Sequence, residues 1–114
     1  MPKEIAMWII TRGAFLSVVL KDCTVNEVLV RARREGDIEK LFPDAKVEVG
    51  TGTDYRCRAV VSRGALADAL ENEVFSIDYP NFKNEVARKD PKLADVLHSV
   101  WHALLRLAPG GRMG

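Results

Sequence analysis

Residues 28–61, with the sequence VLVRARREGDIEKLFPDAKVEVGTGTDYRCRAVV, decide the fold class of this chain. The stretch holds three short runs that are rich in β-branched residues and bounded by turn residues, which is typical of strands. Between the first two runs, Asp37 is predicted to cap a short helix, and Pro43 is predicted to end it. The three predicted strands are residues 28–33, 46–49 and 55–61.

Two more strands are predicted before this stretch. Residues 5–11 and 14–20 are short apolar runs, and Arg12 and Gly13 between them form a turn signal. Two such runs around a tight turn predict a β-hairpin.

Helices are predicted after the stretch. Ser62 is a good N-cap for a helix over residues 63–75, a second helix covers 81–88, and a third runs from Pro91 to about residue 107. Asp78, Tyr79 and Pro80 interrupt the helical pattern, because a residue before proline avoids the α region. The apolar stripes expected to be buried are Leu66, Leu70, Val74 and Ile77 in the first helix, and Leu93, Leu97, Val100, Leu104 and Leu107 in the last.

The order of elements predicts an α+β fold with a mainly antiparallel sheet and C-terminal helices. The central strand–helix–strand–strand–helix section matches most of a ferredoxin-like split βαβ unit, preceded here by the hairpin. We expect one domain over residues 1–107 and a flexible tail over 108–114. The predicted core includes Ile9, Val18, Val30, Leu41, Val60, Leu66, Leu70, Leu97 and Leu104.

Composition narrows the possible functions. The chain has 114 residues, of which 47% are hydrophobic, and its 17 Lys and Arg against 16 Asp and Glu give a net charge of +1. A protein that coats nucleic acid through a strongly basic surface is therefore not expected. Cys23 and Cys57 form no disulfide framework, which favours a reducing cytoplasm. The sequence contains no run of about 18 apolar residues, so we expect no membrane partner.

Six segments carry a resemblance to a known group of proteins. They are MWIITRG (7–13), FLSVV (15–19), LVRAR (29–33), TDYRCR (53–58), DYPNFK (78–83) and HSVW (98–101). Together they resemble a family of small uncharacterised bacterial and phage-associated proteins with an N-terminal Met-Trp strand and a Tyr-x-Asn-Phe-Lys element. The resemblance implies a soluble protein of prokaryotic origin and no particular activity.

Arginines are the first candidate site. Arg31 and Arg33 are two residues apart on one predicted strand, and Arg56 and Arg58 are two apart on another, so each pair shares a face. We expect all four to lie on one surface of adjacent or near-adjacent strands, with Arg12 close to its edge; parity does not fix whether the two pairs meet, which depends on strand order and register. Clustered guanidinium groups suit phosphates and carboxylates, but internal ion pairs are an equally ordinary use. The acidic residues that would supply such pairs are Glu48, Asp54 and Asp78.

A second candidate is a polar cluster near two predicted loops. Tyrosine, asparagine, lysine and carboxylate groups there would hydrogen-bond a substrate, or they would fix turns and helix starts for purely local reasons. Its members are Asp54, Tyr55, Asp78, Tyr79, Asn81 and Lys83.

The third candidate is a metal site. Asp95, His98 and His102 are spaced to lie on one face of the last helix. Two histidines four residues apart bind zinc when a third ligand arrives, and Cys23 or Asp90 would have to supply it through the fold. The alternative is a pair of ordinary surface histidines, and no cofactor is expected.

Three classes of function follow from these features. The absence of a complete catalytic motif favours a small non-enzymatic protein of a prokaryote or phage that binds a protein partner, with Trp8, Phe15 and Trp101 as either anchors or core residues. The alternative is nucleic-acid or nucleotide binding on the arginine-rich sheet face, although the aromatic pattern of RNA-recognition sheets is absent. A small metal-dependent hydrolase or nuclease is the second alternative.

Overall fold

The predicted order of strands and helices is confirmed. A computed structural model describes residues 6–50, 54–78 and 80–109 of the chain. Within them, in chain order, lie β1 (Met7–Ile10), β2 (Phe15–Val19), β3 (Glu27–Ala32), α1 (Asp37–Leu41), β4 (Glu48–Val49), β5 (Cys57–Ser62), α2 (Arg63–Phe75), α3 (Phe82–Lys89) and α4 (Pro91–Leu104), with a 3₁₀ turn over Leu105–Leu107. None of the helices in these ranges is long and apolar enough to cross a membrane.

The strands form one sheet in the order β1-β2-β3-β5-β4, and each neighbouring pair is antiparallel. The predicted α+β class with an antiparallel sheet and C-terminal helices is therefore confirmed. The ferredoxin-like part of the prediction is not. A complete ferredoxin-like unit has a further strand after its second helix, whereas α2 is followed by α3 and α4, and the free side of β3 is taken by β2.

The chain divides by its internal contacts into two compact units, Met1–Asp78 and Tyr79–Gly114, and each is described by itself. A single domain over residues 1–107 stays a prediction, and residues 110–114 of the predicted tail lie outside the described residues.

The core of the first unit lies between one face of the sheet and the helices α1 and α2. Alternate residues of β2, β3 and β5 point into it, as the period of a strand requires. Val60 was predicted to join them, but it is 42% exposed because Ala59 and Val61, its two neighbours, take the core-facing positions. Of the other predicted core residues, Ile9, Val18 and Val30 are buried, while Leu41, Leu66 and Leu70 are half-buried and pack against the cluster.

The ends of α1 and α2 follow different rules. Ser62 caps α2 as predicted, since its Oγ accepts a hydrogen bond from the Ala65 N–H at 3.0 Å. Asp37 does not cap α1: Gly36 is the N-cap, in a left-handed conformation with φ 96°, and Asp37 is the first helical residue. The predicted apolar stripe of α2 is wrong in its second half, because Val74 and Ile77 are exposed.

The second unit is built from α3 and α4, which pack on each other. Asn81 caps α3 and Asp90 caps α4, whose first residue is Pro91, a position that suits proline because no N–H is needed there. Leu93 is buried and Leu97 is half-buried. The predicted stripe fails at its end, where Leu104 and Leu107 are exposed in the residues that the structure describes.

Candidate functional site

The side of the sheet opposite to α1 and α2 carries a continuous row of residues. Trp8 of β1 is the register partner of Ser17, Ser17 of Arg31, Arg31 of Arg58, and Arg58 of Glu48. Register partners on adjacent strands project to the same side of a sheet. The row therefore crosses all five strands on one face.

We call this surface the arginine face. It comprises the row of register partners, residues two positions away from them along the chain, and Tyr55, which contacts Arg31 and Arg33. Its members are Trp8, Phe15, Ser17, Arg31, Arg33, Glu48, Tyr55, Arg56 and Arg58.

Arg31 is fixed at the centre of this face. Its Nη2 donates a hydrogen bond of 2.9 Å to the Ser17 Oγ, and its guanidinium carbon lies 4.4 Å from the centre of the Tyr55 ring. Arg33 lies beside the same ring at 4.5 Å. Cation–π contacts at this distance are attractive, so the tyrosine holds two like-charged groups together. The Arg31 Nε is buried and has no acceptor among the described residues.

The five arginines differ in their ion pairs. Arg12 lies 4.0 Å from the Asp78 carboxylate, and Arg56 lies 3.5 Å from Glu35. No carboxylate of a described residue is within 4.0 Å of the other three arginines of the candidate set, Arg31, Arg33 and Arg58. The register pairs Arg31 with Arg58, so one arginine of each predicted pair lies on the same side of the sheet. Parity alone does not fix this meeting, because it depends on strand order and register. The predicted internal pairing holds for Arg12 with Asp78, whereas Arg56 uses Glu35 rather than one of the three expected carboxylates.

A depression of about 370 Å³ lies at the Arg58 end of the row. Its charged lining is mixed, because Lys46 adds a positive charge whereas Glu48 and Asp22 add negative ones. Because of these negative charges, the depression is less positive than the middle of the face. Asp22 also has a φ of 54°, which is unusual for a residue other than glycine.

The other end of the row is aromatic. Trp8 is 64% exposed, and its ring meets the half-buried Phe15 ring edge-on, with centres 5.2 Å apart and planes at 78°. Such edge-to-face pairs fix the orientation of both rings. The sequence could place Trp8 only as an anchor or a core residue, because the register that lines it up with Arg31 depends on strand pairing.

The residues of the polar cluster predicted from the two loops differ in their surroundings. Asp54 is exposed, Tyr55 joins the arginine face, and Asp78 pairs with Arg12. The other three residues belong to the second unit, in which Tyr79 lies outside the described residues.

In the second unit, Asn81 serves as a helix cap, because its Oδ1 accepts a hydrogen bond of 3.2 Å from the Asn84 N–H. The Lys83 ammonium lies 4.0 Å from the centre of the Trp101 ring, a cation–π contact that the sequence did not indicate. Lys83 is therefore engaged within its own unit.

The histidines of α4 cluster with an aromatic ring. His98 stacks on Trp101 with ring centres 5.7 Å apart, and His102 lies 5.8 Å from His98. No group of three His, Cys, Asp or Glu side chains in the described residues is placed to hold a metal ion.

Cys57 is the first residue of β5, and its side chain is buried in the core. Burial, with a smaller contribution from the nearby Glu35 charge, raises the pKa of its thiol above the ordinary value. A thiol in this position is a poor nucleophile, so Cys57 is a packing residue.

Comparison with known protein families, with curated proteins and with solved structures finds no match to this chain. The comparisons therefore add nothing to the resemblance seen in the sequence, and function has to be argued from the geometry of the arginine face.

Proposed function

We propose that this protein binds a phosphate-bearing ligand on its arginine face, with Arg31, Arg33 and Arg58 as the groups that hold the anion. One observation carries the proposal: these three guanidinium groups share one side of the sheet with no carboxylate of a described residue within 4.0 Å, while Arg12 and Arg56 are paired. Arg33 is exposed, and Arg31 and Arg58 are half-buried.

The physical reason is the cost of keeping like charges together. Arg31 and Arg58 are direct cross-strand neighbours, and like charges in that position repel. A phosphate between the guanidinium groups replaces this repulsion with charge-assisted hydrogen bonds, for which the flat arginine fork is well shaped. Arg31 and Arg58 are half-buried, so their attraction to an anion is screened less than that of a fully exposed charge.

Arg31 adds a second reason. The Ser17 Oγ and the Tyr55 ring hold its guanidinium group in place within the protein itself. A guanidinium group that is already positioned loses less side-chain entropy when it binds an anion.

This function suits the cytoplasmic protein of a prokaryote or phage inferred from the sequence. A protein partner with an acidic segment would bind the same guanidinium groups through its carboxylates. The two ligands differ in their geometry and charge density, so direct competition separates them.

The test measures binding of fluorescein-labelled inorganic polyphosphate to the full chain by fluorescence anisotropy at several salt concentrations. We expect affinity to fall steeply with salt. Arg33→Gln and Arg58→Gln should each weaken binding about 3- to 10-fold and reduce the salt slope by roughly one, as expected for loss of a phosphate contact. Arg56→Gln is the matched control, because Glu35 already pairs with that arginine, and it should change affinity less than about twofold.

Three results would overturn the proposal. The first is no binding of polyphosphate at low salt by a folded chain. The second is an equal effect of the Arg33, Arg58 and Arg56 substitutions, since the proposal depends on the difference between paired and unpaired arginines. A poly-glutamate peptide that binds more tightly than polyphosphate would also reject it in favour of an acidic protein partner.

A further inference from the structure

We infer that the ligand of the arginine face is a single-stranded nucleic acid that lies across the β-strands, with a base stacked on Trp8 and its phosphates beside Arg31, Arg33 and Arg58. The inference rests on the proposed function and adds the ligand class and its path.

The path comes from the register. Trp8, Ser17, Arg31 and Arg58 are successive partners on β1, β2, β3 and β5. Neighbouring strands are about 4.8 Å apart, so the row places Trp8 roughly 10 Å from Arg31 and roughly 14 Å from Arg58. A ligand that contacts both ends has to lie perpendicular to the strands.

The row suits a ligand with phosphates along its whole length. A nucleoside triphosphate is also long enough to reach from Trp8 to the arginines, but it carries all its phosphates at one end, whereas a strand has a phosphate at every nucleotide, about 3.4 Å apart when stacked. A chain of several nucleotides spans the row, and it brings a phosphate to each guanidinium group in turn. Inorganic polyphosphate also spans the row, but it has no base that could stack on the indole ring of Trp8.

Trp8 is the observation that selects a nucleic acid. It is a large aromatic residue on an edge strand, 64% exposed, with its orientation fixed by Phe15. Aromatic rings beside cationic side chains on an open face are the means by which proteins hold single strands, because every base presents a π-face. A duplex hides those faces within its own stack, so the base on Trp8 comes from a single strand.

The far end of the path is set by Glu48. It is the register partner of Arg58 and lies on the edge strand β4. Its carboxylate repels a phosphate, so the bound strand should stop beside Arg58. Glu48→Gln should then tighten oligonucleotide binding by up to about fivefold, which is the size expected for an exposed charge.

The experiment compares four probes on the full chain by fluorescence anisotropy: a labelled 12-nucleotide oligothymidine, the same length of DNA duplex, labelled polyphosphate and a poly-glutamate peptide. We expect the single strand to bind most tightly. Trp8→Ala should weaken single-strand binding by about 5- to 150-fold while leaving the salt slope and polyphosphate binding unchanged. Trp8→Phe should restore most of the affinity, because a ring is retained. Trp8→Leu, which keeps an apolar side chain beside Phe15 but has no ring, covers the case in which the alanine variant does not fold and should lose affinity to a similar extent.

Phe75→Ala is the matched control, because Phe75 is an aromatic residue even more exposed than Trp8 and lies at the end of α2, outside the arginine face. It should leave oligonucleotide binding unchanged. The inference is overturned if a folded Trp8→Ala or Trp8→Leu variant binds the single strand like the wild type, or if the duplex binds as tightly. Either result alongside polyphosphate binding leaves the proposed function standing, whereas no binding of any phosphate probe removes both.

Discussion

Asp37 shows how one buried carboxylate joins two elements of the fold. Its side chain is 4% exposed, and its Oδ2 accepts hydrogen bonds from the Phe15 N–H at 3.2 Å and the Arg34 Nε at 3.3 Å. Its Oδ1 lies 3.2 Å from Arg34 and 3.8 Å from Lys40. The residue predicted to cap a helix therefore ties the start of β2 to α1, with two cations to offset the cost of burying its charge.

Removal of this carboxylate should destabilise the protein strongly. We expect Asp37→Ala to lower the free energy of unfolding by about 3–5 kcal/mol, because Arg34 and the Phe15 N–H lose their partner in a buried place. Asp37→Asn should cost less, since the amide oxygen still accepts from Phe15. Urea denaturation followed by circular dichroism measures both.

Asp44→Asn is the control for Asp37, because Asp44 is an exposed carboxylate in the following loop. It should stay within about 0.5 kcal/mol of the wild type. A loss below about 1 kcal/mol for Asp37→Ala would show that the buried network contributes little.

The two cysteines should differ in reactivity. Burial raises the pKa of the Cys57 thiol, so it stays protonated and shielded at pH 8, whereas Cys23 is half-buried near the chain surface. We expect iodoacetamide to modify Cys23 alone in the native protein and both thiols after denaturation, as read by mass spectrometry. Rapid native labelling of Cys57 would contradict its burial.

The same shift gives a pH effect on stability. A folded-state pKa above the unfolded one makes the contribution of Cys57 fully present at pH values below the ordinary thiol pKa. It should be lost as the pH rises through the folded value. Cys57→Ser should flatten the alkaline limb of a plot of unfolding free energy against pH.

At the scale of elements, β5 illustrates how pairing selects the buried side of a strand. Its three consecutive apolar residues Ala59, Val60 and Val61 give no alternation from which a face could be chosen. Pairing with β3 matches Val30 to Ala59 and Leu29 to Val60, and Val30 points into the core. Val60 therefore points to the opposite side of the sheet, which is the side that carries the arginine face.

This assignment predicts opposite results for two valines. Val30→Ala should lower the unfolding free energy by about 1–3 kcal/mol, since Val30 is fully buried and the substitution leaves a cavity. Val60→Ala should change it by less than about 0.5 kcal/mol. Thermal and urea unfolding of both variants provide the measurement, and equal losses would mean that the register of β5 is shifted by one residue.

At the scale of the whole molecule, the net charge is small although positive charge is concentrated on the arginine face. The net charge is only +1, so long-range attraction to nucleic acid is weak. The proposed binding depends instead on a local group of arginines, so it should weaken as salt rises, with the slope expected for about three phosphate contacts.

The division into two units leads to a prediction about folding. All residues of the main hydrophobic cluster lie in the first unit, Met1–Asp78. We expect a fragment of residues 1–78 to fold without the second unit and to keep the amide chemical shifts of the sheet in a ¹H–¹⁵N spectrum. Collapsed shifts, or loss of a cooperative thermal transition, would show that the second unit is needed for folding.

Local rules in the sequence determined the order of elements, the Ser62 cap and the shared strand face of arginines two residues apart. These features depend on neighbours within about four positions, such as the alternation of a strand or the hydrogen bond of an N-cap. They could be predicted because they arise before any long-range contact is made. The candidate site was predictable to the same extent, since parity placed Arg31 with Arg33 and Arg56 with Arg58.

Tertiary structure alone decided which residues meet across the sheet and which apolar positions find a partner. The alignment of Trp8 with Arg31 and Arg58 depends on the register of four strands, and a slip of one residue would reverse it. Leu104 fits the apolar spacing of α4 yet is 53% exposed, because spacing defines a face but does not supply a surface to cover it. Pairing of Arg56 with Glu35, which leaves Arg31, Arg33 and Arg58 for a ligand, likewise required the folded arrangement of loops.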